Sequence, residues 1–116
     1  MRAARNGSSE ILGQPRGRIM SGPAITKRVL ISGQVQGVGF RAWTQDEAEM
    51  RGLSGWVRNR RDGFVEALFV GPPDLVAEMV ETCRRGPRHA RVQTVETIYG
   101  EDLPATPGRF RILPTA

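Results

Sequence analysis

This sequence predicts an α+β sandwich, a sheet of short strands with two helices on one face. Three observations predict it. Short apolar, partly β-branched runs and two helical stretches follow one another as β-α-β-β-α-β, with a further strand at the end. The two middle strands are joined by Arg60-Arg61-Asp62-Gly63, a hairpin signal, because Asp-Gly supplies the positive φ of a tight turn. Finally, 116 residues can bury one modest core and not two. Two split β-α-β units joined by a hairpin make the ferredoxin-like arrangement, an antiparallel sheet with both helices on the same side.

The first strand is expected over residues 27–34, where Arg28-Val29-Leu30-Ile31 ends an apolar run. A helix over 40–51 follows, with Phe40, Thr44 and Ala48 inward, Trp43 to one side, and Gly52 as its stop. Strands are expected over 54–59 and 63–70. Pro72-Pro73-Asp74 opens the second helix, Asp74 either capping it or favouring its N-terminal dipole. Val76, Met79, Val80 and Cys83 fall on one apolar stripe, and Gly86-Pro87 ends it. The strand over 91–99 does not alternate cleanly at Val92, Val95 and Ile98, which predicts a bulge or twist. A last strand spans 108–113 before Pro114.

Hydrophobic residues at 39% and charged residues at 25% describe a folded protein, not a disordered one. The net charge of +5 suggests a nucleic-acid partner until it is divided. Residues 1–24 carry Arg2, Arg5, Arg16 and Arg18 against Glu10, a net +3, which leaves +2 for residues 25–116. The domain is therefore expected over 25–116, behind a disordered or loosely attached extension over 1–24. Met20 reads as an alternative start, and the Gly and Pro residues of the extension argue against a transit helix. A single cysteine, Cys83, excludes an internal disulfide and a multi-cysteine metal site. No apolar run reaches the length of a membrane span, and the expected compartment is the cytoplasm.

The stretch I-S-G-Q-V-Q-G-V-G-F-R, ending at Arg41, is where chemistry is expected. Gly33, Gly37 and Gly39 let a loop turn its backbone N–H groups toward an anion, and a helix N-terminus follows at once. Arg41 sits in the first helical turn, where the dipole disfavours a cation, so something negative is expected to join it there. The glycines alone equally suit a plain tight turn, Arg41 alone a solvated helix residue, and Asn59 alone a turn former. The predicted topology brings the loop after strand one to the same end of the sheet as Asn59, whose amide can both accept from and donate to a water. No nucleophile-base pair, paired carboxylates or metal-ligand cluster accompanies them: His89 lies in a distant Pro-Arg-His-Ala loop, and Cys83 sits on the apolar stripe.

Gly33-Gln34-Val35-Gln36-Gly37-Val38-Gly39-Phe40-Arg41, with Thr44-Gln45 a turn later, then Gly55-Trp56-Val57-Arg58-Asn59 and Asp62-Gly63-x-Val65-Glu66, closely resembles acylphosphatase. The resemblance runs from about Lys27 to Leu113. It implies hydrolysis of the carboxyl–phosphate bond of acyl phosphates without cofactor or metal. It assigns substrate binding to Arg41 and water orientation to Asn59. The phosphate-binding loop falls on Gln34, Val35, Gln36, Gly37, Val38, Gly39 and Phe40, acting through backbone amides. Arg60 departs from the small hydroxyl residue common after the asparagine in that family, and it has no hydroxyl with which to support the asparagine. The expected partners are a small acyl phosphate and inorganic phosphate, as product and inhibitor, with no nucleic acid, no membrane and a monomeric chain. Besides an acylphosphatase-like domain serving a larger maturation enzyme, two rivals remain at this level. One is a non-catalytic phosphoanion-binding module on the same fold, which would have no use for a water-orienting amide. The other is an RNA-binding domain of the same strand order, which would need a row of exposed sheet aromatics that Phe64 and Phe69, of opposite parity, do not supply.

Overall fold

The computed structural model describes residues 23–100 and 103–116, so the extension expected over 1–24 lies almost entirely outside the described residues. The chain runs β1 (Ile25–Gln34), α1 (Phe40–Met50), β2 (Ser54–Asn59), β3 (Val65–Gly71), α2 (Pro73–Arg85), β4 (Arg91–Ile98) and β5 (Phe110–Ile112). The sheet order is β4-β1-β3-β2-β5, so β1 and β3 are central. Four strands pair antiparallel, as the ferredoxin-like pattern requires. The expectation of a wholly antiparallel sheet is corrected at its edge, where β5 lies parallel to β2, with Gly55 opposite Phe110 and Val57 opposite Ile112. The reason is the long β4–β5 connection, which carries the chain across the sheet before β5 begins.

Period-two alternation sends Val29 and Ile31 of β1, Val57 of β2, and Val65, Ala67 and Phe69 of β3 to the helical side, all fully buried. Phe40, Thr44 and Ala48 of α1, with Val76, Met79, Val80 and Cys83 of α2, close over them. Trp43 is half-buried and meets the Phe40 ring edge-on at 5.3 Å. Burial also pushes the Cys83 thiol up to about 12, which keeps it a protonated core group. Asp74 lies in the first turn of α2, where the dipole favours it, but no side chain caps that helix and Pro72 holds the N-cap position.

On the helix-free face Glu66 is fully buried, yet it accepts hydrogen bonds from Arg28 (3.3 Å) and Arg58 (2.9 Å). The β4–β5 connection packs back over this face: Arg28 donates to the Tyr99 carbonyl, Trp56 Nε1 to the Leu103 carbonyl, and the Gly108 N–H to Ser54 Oγ. Trp56 is buried beneath it.

The bulge expected in β4 is present. Ser32 faces Thr94 and Gly33 faces Val92, so Gln93 is the extra residue. Gly33 therefore belongs to β1, not to the loop beyond it. Its φ is 118°, and a Cβ there would run into the Arg91 carbonyl oxygen and come within 2.8 Å of the Gln93 nitrogen. Gly33→Ala should lower stability by roughly 1–3 kcal/mol through backbone strain alone. A chemical-denaturation midpoint unchanged from wild type would contradict that origin for the glycine.

Candidate active site

The loop at residues 35–39 leaves the centre of the sheet and enters α1 with no room for a regular turn. Val35 anchors it in the core at 1% exposure, and Val38 packs against the same core. Gly37 (φ 75°) and Gly39 (φ 80°) take the left-handed conformation between them. Gly39 is the N-cap of α1, and with no side chain of its own it leaves the helix uncapped. The first intrahelical bond runs from the Trp43 N–H to the Gly39 carbonyl, so the N–H groups of Phe40, Arg41 and Ala42 stand ahead of the helical ladder. The first turn contains no acidic residue.

Arg41 projects from this turn, half-buried, and forms no ion pair with any described residue. Asn59 ends β2 opposite Val65, and its carbonyl accepts the Ala116 N–H at 2.9 Å. Its side-chain oxygen is buried without a hydrogen-bond partner among the described residues. A buried acceptor left in this way is uncommon and calls for an occupant. The alternation of β2 sends Asn59 to the helical side with Val57, and there the two groups meet. A concavity of about 260 Å³ is lined by Val35, Gly37, Gly39, Phe40, Arg41, Ala42, Asn59 and Ile112.

Of the loop residues expected to bind phosphate, Val35, Gly37, Gly39 and Phe40 line this hollow, while Gln34, Val38 and Gln36 do not. Gln34 is the last residue of β1, paired with Arg91. The Gln36 side chain turns away and donates to the carbonyls of Arg60 and Phe64, both at 2.8 Å. Arg60 supplies no hydroxyl behind Asn59. Its guanidinium is occupied with Asp62 (2.9 Å) and Glu66 (3.6 Å), and its hydrogen bond and charge hold the Asp62 carboxyl below its usual range. Ile112, from β5, was not foreseen as part of the site. It is 39% exposed, an apolar wall that only the parallel edge strand brings there.

A larger hollow of about 580 Å³ lies on the helix-free face, among Leu68, Val70, Ile98, Leu103 and Pro104. Its lining cation, Arg28, is already bonded to Glu66 and to the Tyr99 carbonyl. Volume therefore does not identify the reactive centre. The smaller hollow alone combines an unpaired guanidinium, uncapped helix amides and an orphaned amide oxygen among the described residues. His89 is exposed and far along the chain. No group of three His, Cys, Asp or Glu side chains converges as metal ligands among the described residues, and no described helix is long and apolar enough to cross a membrane.

Comparison with known proteins gives the family and the fold. The family model described as Acylphosphatase matches residues 27–112. An acylphosphatase of Azorhizobium caulinodans is 54% identical over 90 residues, spanning 78% of this chain and 96% of that protein. Among solved structures, the acylphosphatase of Bacillus subtilis superposes with a TM-score of 0.67 at 39% identity, covering 76% of this chain and 97% of its own. That of Coxiella burnetii superposes at 0.67 and 35% identity, covering 78% and 94%.

Proposed function

This chain belongs to the acylphosphatase family, and from that premise we propose how its own residues carry out the reaction. The protein is an enzyme that hydrolyses the carboxyl–phosphate bond of acyl phosphates to a carboxylate and inorganic phosphate. The phosphoryl group sits in the hollow beside Asn59. Backbone N–H groups of the loop from Gln36 to Phe40 and the guanidinium fork of Arg41 hold its oxygens, where they meet charge that spreads as the bond breaks. The Asn59 amide holds a water in line with the scissile bond, opposite the leaving group. As the water oxygen bonds phosphorus, the bond between phosphorus and the carboxyl oxygen breaks, and its electron pair leaves with that oxygen as the carboxylate. The water's proton passes to a phosphoryl oxygen. A carboxylate is a weak base, so departure requires no general acid at neutral pH.

The observation that supports this most strongly is the buried, unpartnered Asn59 oxygen on the wall that Arg41 also lines. A site built for binding alone would gain nothing from leaving that acceptor empty, since an unsatisfied buried polar group costs roughly 1–3 kcal/mol. Ile112 and Ala42 give the acyl group apolar surface. We place the catalytic unit in residues 25–116 and read it as a cytoplasmic monomer, with residues 1–24 outside the catalytic unit. The test is hydrolysis of benzoyl phosphate by the purified chain with added inorganic phosphate. Phosphate should raise KM and leave kcat unchanged, because product and substrate share the cradle. Pure noncompetitive inhibition would place phosphate elsewhere and remove the cradle from the mechanism.

A further inference from the structure

We propose that the Gln36 side chain is a positioning residue that holds Asn59 in register with the phosphate loop. The inference rests on the reading of Asn59 given above. Gln36 lies between Val35, fixed in the core, and Gly37, which lines the hollow. Its side chain is not part of that lining and instead spans to the β2–β3 hairpin. Both hydrogens of its amide are used, one on the Arg60 carbonyl and one on the Phe64 carbonyl. Arg60 directly follows Asn59, and Phe64 directly precedes Val65, the cross-strand partner of Asn59. Gln36 thus closes the end of the hairpin that carries the water-holding amide and fastens it to the loop that carries the anion-holding amides.

The two carbonyls do not depend on Gln36 for satisfaction. The Arg60 carbonyl also accepts the Gly63 N–H (3.1 Å), and the Phe64 carbonyl accepts the Arg60 N–H (2.8 Å). Removing the amide therefore leaves neither stranded, and the hairpin keeps its own closing bonds. What is lost is the tie between two segments that are 24 and 28 residues apart in sequence. In-line attack tolerates little error, and a shift of about 1 Å at this scale costs on the order of 100-fold in rate.

The test uses the full chain, with acyl-phosphate turnover measured for Gln36→Glu and Gln36→Met, each alone and combined with Asn59→Ala. Glu preserves shape but turns an oxygen toward two carbonyls, and Met removes the donors without adding charge. Gln36→Met should lose roughly 10- to 100-fold in kcat with KM and inhibition by inorganic phosphate unchanged, since the anion cradle is intact, while Gln36→Glu should lose as much in kcat and its added carboxylate should also raise KM. Combined with Asn59→Ala, each should lose no more in kcat than Asn59→Ala alone, because the residue acts through that amide. Losses in kcat that multiply in the double variants, or that appear in KM instead of kcat, would overturn the proposal while leaving the role of Asn59 standing. Full turnover in Asn59→Ala by itself would instead remove the reading beneath it. If the Glu variant fails to fold, the Met variant decides.

Discussion

Arg41→Ala is expected to lose most of the activity and none of the fold. Removing the countercharge of a bound anion in a partly desolvated site costs roughly 3–5 kcal/mol by analogy with broken buried pairs. That corresponds to a fall of about 10²- to 10⁴-fold in kcat/KM. Loss of the side chain breaks no ion pair with a described residue, and it relieves a cation of its place at the positive end of α1. The thermal midpoint of the free protein should therefore hold or rise slightly. Arg41→Lys should recover little of the rate, because a point charge cannot reproduce two parallel donors. A kcat/KM for Arg41→Ala close to wild type would mean that the loop amides bind substrate unaided.

Asn59→Ala is expected to reduce kcat by about 10²- to 10³-fold, the range for loss of one preorganised donor or acceptor at a reacting centre. KM should change little, since the anion is held from the other wall. The variant also removes a buried oxygen that has no partner among the described residues, so it should not destabilise the protein by loss of a hydrogen bond. Slow turnover in a protein of undiminished stability would mark Asn59 as a group kept for its reaction. Turnover near wild type would exclude it.

How far the site was legible depended on range. The Gly37-x-Gly39-Phe40-Arg41 run is local, and the strand-to-helix loop followed from glycine sterics and from the apolar runs on either side. Asn59 was legible because Asp62-Gly63 fixes the hairpin, and with it the residue that ends β2. The Gln36 tie was not legible, since a side-chain amide reaching a backbone carbonyl 24 residues away leaves no periodic trace. Nor was Glu66. Alternation predicts a residue facing away from the helices, but its burial depends on Arg28 and Arg58 arriving from two neighbouring strands. The parallel direction of β5 depends on a connection that packs across a sheet face, which no pattern within Phe110–Ile112 can encode. Ile112 joined the site by the same route.

The place of β1 in the sheet has a further consequence for how the protein is made. One of its edges pairs with β3, and the other with β4, nearly sixty residues further along the chain. During synthesis on the ribosome the hairpin and both helices emerge while that second edge still shows bare N–H and C=O groups, an invitation to pair with a neighbouring nascent chain. Arrival of Arg91–Ile98 is what seals it, and the bulge at Gln93 lets this late strand seat against Gly33.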